Sequence, residues 1–130
     1  MADRIGTLNE RDLVLCVGTL GNPNFSELVA AARAGGFNSI SMIPSTYRKG
    51  RFEEKLSDSD MRHMLAANGL RVAELDPLLN WVPGHTFKSS DASVFDADEE
   101  FFYRMAEALQ ARSLNAVWAL PEKLPASMGT

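Results

Sequence analysis

Two hydrophobic patterns alternate along this chain. One is a short continuous apolar run, and the other is a stripe recurring every three or four residues. The first run is Leu13-Val14-Leu15-Cys16-Val17, the form taken by a parallel strand buried on both faces. A stripe follows at Phe25, Leu28, Val29 and Ala32. Asn24 stands where an N-cap belongs, with Glu27 three places on in a capping-box arrangement, and Gly35-Gly36 ends the helix. Residues 37–43 read as a second strand closed by Pro44. A second helix is capped by Ser57, carries Met61, Met64 and Leu65, and stops at Asn68-Gly69. Residues 70–75 form a third strand. Asp96 or Asp98 caps a third helix bearing Phe101, Phe102, Met105, Ala108 and Leu109, and residues 114–120 form a fourth strand.

The same phrase joins each helix to the next strand. It reads AGGFNSISMIP (34–44), ANGLRVAELDP (67–77) and ARSLNAVWALP (111–121). A helix end, a tight turn, a strand and a stop therefore repeat as a unit, which predicts a parallel α/β protein of four strands and three helices. Two architectures fit: an open doubly wound sheet, or about the first half of a TIM (β/α)8 barrel, since a whole barrel needs ~250 residues. The helix-to-strand turns are minimal. The connections from Pro44 to Leu56 and from Pro77 to about Ala97 are long, and both lie at the C-terminal edge of the strands, where such folds bind ligands. Residues 1–11 read as a polar lead-in, 12–121 as the β/α domain and 122–130 as a tail without strong pattern.

Composition changes this picture little. Thirteen Lys and Arg against seventeen Asp and Glu give a net charge of -4, which disfavours a general nucleic-acid binder. The single cysteine, Cys16, leaves no intramolecular disulfide and no thiolate cluster within one chain. No signal peptide or membrane span is visible, so the expected setting is soluble and cytoplasmic. There is no P-loop, GxGxxG, GxSxG or HExxH.

Counting back from each closing proline places Ser41 and Ile43, Glu74 and Asp76, and Trp118 and Leu120 on one face of the sheet. Ile40 and Met42, Ala73 and Leu75, and Val117 and Ala119 fall beneath the helices. Glu74 and Asp76 are the sharpest chemical signal, because two carboxylates on one strand face are costly to bury unpaired. Glu74 reads equally as a proton shuttle or hydroxyl binder and as half of a buried ion pair. Asp76 is either a substrate contact or a residue that shapes the turn before Pro77. Trp118 would stack on a sugar ring or pack in the core. Trp81 belongs to an apolar loop that forms a lid or packs on its own strand ends. His85 is an acid–base candidate or a solvated loop residue. Tyr47-Arg48-Lys49-Gly50-Arg51 puts three cations in the second connection, to hold a phosphate or carboxylate or to lie solvated among Glu53 and Glu54.

The segments GGFNSISMIP, LSDSDMRHMLAANGLRVAELDPLLNWVPG and DEEFFYRMAEALQARSLNAV resemble the N-terminal half of the sugar phosphate isomerase/epimerase family, the xylose-isomerase-like TIM barrels. The resemblance runs from about residue 13 to 121. It implies isomerisation or epimerisation of a carbohydrate or polyol by proton transfer next to a carbonyl. It also implies a divalent metal ion such as manganese or magnesium. Metal ligands in that family come mainly from later strands, so none is assigned here. Glu74 is then the catalytic candidate, with Asp76, Trp81, His85 and Trp118 as substrate contacts. Half a barrel leaves two open strand edges. The chain is then a truncated form that is inactive alone, a homo-oligomer joined through those edges, or an open sandwich. A small ligand- or partner-binding open-sheet domain without catalysis is the alternative, with no nucleic acid or membrane as partner.

Overall fold

The computed structural model describes residues 9–83 and 97–117. Four strands form one sheet: β1 (Val14–Leu15), β2 (Ser39–Met42), β3 (Arg71–Leu78) and β4 (Ser113–Ala116). Every neighbouring pair is parallel, and the order across the sheet is the order along the chain. This order separates the two architectures. A doubly wound sheet reverses its strand order at a switch point and carries helices on both faces, whereas a barrel adds each strand beside the last. Here the helices share one side, because a single core cluster joins them. Phe25, Leu28 and Ala32, Met61 and Leu65, and Phe102, Met105 and Leu109 pack there with Ile40, Met42, Val72, Leu75 and Leu78 of the sheet.

Three helices lie where periodicity puts them: α1 (Phe25–Ala34), α3 (Asp58–Ala67) and α4 (Glu99–Leu109), with α2 (Pro44–Arg48) between the first two. Asn24 caps α1 by accepting the Glu27 N–H at 2.8 Å. Ser57 caps α3 through a reciprocal box, accepting from Asp60 N at 3.0 Å while its own N–H donates to Asp60 at 2.8 Å. Asp98 caps α4 by accepting from Phe101 N at 2.8 Å. Arg62 of α3 donates to the Ala108 carbonyl at 2.7 Å, satisfying an orphan acceptor in the last turn of α4.

The connection 44–56, expected to be a loop, is helical, so the described residues hold four helices rather than three. Pro44 opens α2 at a position that needs no N–H donor. The helix runs on into a wide π turn, Lys49–Glu53. Its residues show no apolar stripe, and its shape is held by tertiary contacts. Thr46 donates to the Pro23 carbonyl at 2.9 Å, Lys49 to the Asn22 carbonyl at 2.6 Å, and Ser26 bonds the Glu54 carboxylate. Gly50 lets this turn approach α1 and α3. A Cβ there would meet Phe25 Cβ at 3.0 Å and Met61 Sδ at 3.1 Å.

The strands also depart from expectation. β1 is two residues long, because Val17 N–H donates to Ser41 Oγ at 2.9 Å and the chain turns into a 3-10 turn at Val17–Leu20. β3 runs through Pro77 to Leu78 rather than stopping before it. Proline cannot donate to a ladder, and the pairing with β4 skips from Leu75 to Leu78. On the other side of β3, Ile40 pairs with Val72 but Ser41 pairs with Glu74, so Ala73 is an extra, bulged residue. The bulge puts Val72 in the core cluster with Leu75, where strict alternation places Ala73. At the N-terminal ends of the strands, Asn38 and Arg71 both reach Asp12, at 3.0 and 3.4 Å, and tie the first three strands together.

Gly50→Ala should destabilise the fold by about 1–3 kcal/mol; a lowered urea midpoint is the readout. The Tyr47 phenol is pushed up from 10.0 to about 12, first by burial and then by its hydrogen bond to Asp58. The stability it lends is complete below pH 10 and fades as pH rises towards 12. Tyr47→Phe should flatten that alkaline decline in stability and remove a tyrosinate absorbance step near pH 12.

Candidate functional site

With the helices gathered on one side, the opposite face of the sheet belongs to small and polar side chains. β4 sets its phase. Ser113 Oγ donates to the Ala73 carbonyl at 2.9 Å, and Asn115 Nδ2 donates to Glu74 Oε2 at 3.1 Å, while Leu114 between them packs against the core. Glu74 is therefore on the face away from the helices. Ser41 of β2 is its register neighbour. Ser39 shares that face by alternation. Its buried Oγ lacks a hydrogen-bond partner among the described residues.

Glu74 is half-buried, and its partner is a neutral amide. The ion pair offered as one reading does not form among the described residues. A carboxyl group held by one amide N–H has acceptor capacity left over, so it is suited to receive a hydroxyl. Asp76, also half-buried, lies two residues nearer the C-terminal edge of the same strand. Trp81 stands just beyond that edge, and its Nε1–H donates to the Val117 carbonyl at 3.0 Å. Together with the Val117 N–H bond to the Leu78 carbonyl at 2.8 Å, it closes β3 onto β4 beyond their paired residues. Trp81 is thus a strand-end brace with a partly exposed ring. Its ring borders a shallow open hollow of about 560 Å³ with Asn80, Val82, Pro83 and Tyr103. Cys16 is exposed at the end of β1.

His85 and Trp118 lie outside the described residues, as does Asp96. The phase counted back from Pro121, however, fails. It expects Val117 beneath helices, whereas Val117 is 39% exposed and Ser113 and Asn115 already occupy the Glu74 face. Asn115 is the residue that counting missed. Alternation counted forward from the start of the strand finds it. The cations of residues 48–51 are not on this face at all. They belong to the helical layer, where Arg48 and Arg51 border clefts against α4 and Lys49 donates to the Asn22 carbonyl.

Among the described residues, no three His, Cys, Asp or Glu side chains stand close enough to hold a metal ion. The described residues do not by themselves assemble the metal centre that the family resemblance implies. No described helix is long and apolar enough to cross a membrane.

No family model matches the sequence, and no curated protein matches it. Among solved structures, the chain is similar to a xylose isomerase domain protein from Alicyclobacillus acidocaldarius subsp. acidocaldarius. The TM-score is 0.58 at 19% identity over 89% of this chain. The likeness shows the fold. These are parallel β/α units amounting to about half of a TIM barrel. The chain spans about 40% of that neighbour's length.

Trp81→Phe removes the brace but keeps a ring. It should cost about 1 kcal/mol and deprotect the Val117 amide in hydrogen exchange before the rest of the sheet. Uniform protection in the variant would show that the indole bond contributes nothing to closing β3 on β4.

Proposed function

We propose that this chain is the substrate-binding first half of a barrel that isomerises or epimerises a carbohydrate or polyol. The observation that supports this reading is Glu74, held by Asn115 on the polar face of a sheet whose other face is covered by helices. A carboxylate so placed can take a proton from the carbon next to a substrate carbonyl. Returned to the former carbonyl carbon, while the hydroxyl proton passes from one oxygen to the other, the proton completes an isomerisation; an epimerisation needs a second acid, outside Glu74, to protonate the same carbon from its opposite face. Asn115 holds the Glu74 carboxylate in one orientation and offers its amide to a hydroxyl. Ser41 and Asp76 would flank a polyol on the same strands, with Trp81 at the rim. The resemblance and the fold likeness support the substrate class. The open strand edges support a further element, supplied by another copy or another segment, that completes the barrel.

The test is saturation-transfer NMR of the chain against a panel of aldoses, ketoses and polyols. Saturable binding is expected for at least one, weakened about tenfold by Glu74→Gln, because a hydrogen bond to a charged group is worth about 1.5–3 kcal/mol. Solvent-deuterium exchange at the carbon beside the carbonyl is expected to be slow in the chain alone. Binding unaffected by Glu74→Gln removes the basis of the proposal.

A further inference from the structure

The cluster Tyr47-Arg48-Lys49-Gly50-Arg51 plays no part in the reading above, and the fold gives it a different setting. The π turn carries Arg51 and Phe52 alongside α4. Turns of this type open a helix locally and are frequent at functional positions. Between the turn and α4 lies a groove of about 350 Å³ lined by Tyr47, Arg51, Phe52, Asp58, Phe101 and Arg104. A second cleft of about 310 Å³, bordered by Arg48 and Asn80, shares Phe101 and Arg104 with it. The two form one trough across the helical layer. Glu74 and Asn115 are on the far side of the sheet.

Three guanidinium groups from two elements line this trough, facing Asp58 and Asp98. Both carboxylates are already engaged. Asp98 accepts the Phe101 N–H as the cap of α4, at 2.8 Å. Asp58 accepts the Tyr47 hydroxyl at 2.6 Å. Its contact with Arg51 is long, 3.5 Å, and more than a third exposed, so it is a weak pair that an incoming anion can replace. Arg48 lies over the Phe101 ring at 4.3 Å, and Tyr47 meets the same ring edge-on at 5.9 Å. That packing fixes the trough's floor in place. Phe52 stands at its rim, 68% exposed.

We propose that this trough binds a phosphate monoester with an aromatic or planar body. Guanidinium forks match phosphate oxygens bidentately. Among the described residues, three arginines and two carboxylates line the trough. A phosphate monoester, at about −1.5 to −2, offers more acceptor oxygens than a monocarboxylate, enough to take guanidinium forks from both elements at once. The exposed Phe52 ring gives the body of the ester an apolar surface to cover. This site takes its ligand independently of any chemistry at Glu74.

The test titrates the full chain at low ionic strength with phenyl phosphate, inorganic phosphate and benzoate, followed by calorimetry and amide NMR. Saturable binding is expected in the order phenyl phosphate, inorganic phosphate, benzoate, with shifts confined to residues 47–58 and 97–105. Arg51→Gln combined with Arg104→Gln should weaken phenyl phosphate about tenfold or more. Phe52→Ser should bring phenyl phosphate down to the level of inorganic phosphate, with the fold intact by circular dichroism. Glu74→Gln should leave phenyl phosphate binding unchanged, which separates this site from the sheet face. The proposal is overturned by absence of saturable phenyl phosphate binding, by shifts that map to the Glu74 face, or by full affinity in either trough variant.

Discussion

Apolar burial on one side of a parallel sheet is the constraint from which the other features follow. α1, α3 and α4 drive Phe25, Leu28, Met61, Phe102 and Met105 into a single cluster with the strands. Each such side chain, fully buried, contributes roughly 1.5–3 kcal/mol. A sheet covered on one side must use its other side differently. Here that side holds Ser39, Ser41, Glu74, Ser113 and Asn115, short or polar groups; Asn115 bonds Glu74, while Ser41 and Ser113 bond backbone groups of neighbouring segments. The sequential strand order leaves β1 and β4 at the edges, where Leu13 is 57% exposed. Such edges are templates for further strands, so the same packing that defines the core also defines where the fold can grow.

Two irregularities tune this arrangement. The bulge at Ala73 shifts the phase of β3 between its halves, so Val72 and Leu75 both reach the core while Glu74 faces away. Pro77 interrupts the ladder to β4, and the gap is bridged by Val117 bonding to Leu78 and by Trp81 bonding to Val117. The Pro77 break lies towards the C-terminal edge, where a regular ladder would leave less freedom to aim side chains, and the bulge, in the first half of the strand, sets the phase that reaches it. The opposite end is tied down by Asp12, Asn38 and Arg71. Rigidity at one end and adjustable geometry at the other is the usual division of labour in β/α folds.

The helical layer has its own polar architecture. α2 and its π turn are fastened to the loop before α1 and to α1 itself, through Thr46, Lys49, Gly50 and Glu54. That fastening presents Tyr47, Arg48 and Arg51 to α4 rather than to solvent on all sides. A cation cluster that looks like a loop feature in one dimension becomes one wall of a trough in three. The sheet face and the trough are thus separated by the hydrophobic core, and neither depends on the other for its geometry.

The periodicity of α1, α3 and α4, the caps at Asn24, Ser57 and one of Asp96 or Asp98, and the thrice-repeated turn phrase with its closing prolines were enough to specify parallel β/α units and to turn Glu74 away from the helices. These signals are short-range, because a cap or a stripe is written within a few residues of the atoms it satisfies. Tertiary structure alone decided the rest. α2 carries no stripe, and its contacts come from residues more than twenty positions away. Asn115 became the partner of Glu74 through the β3–β4 register, which a phase counted back from Pro121 misplaces. Hydrogen-bond partners across strands and walls shared between helices depend on which segments meet, and that is settled by the packed chain as a whole.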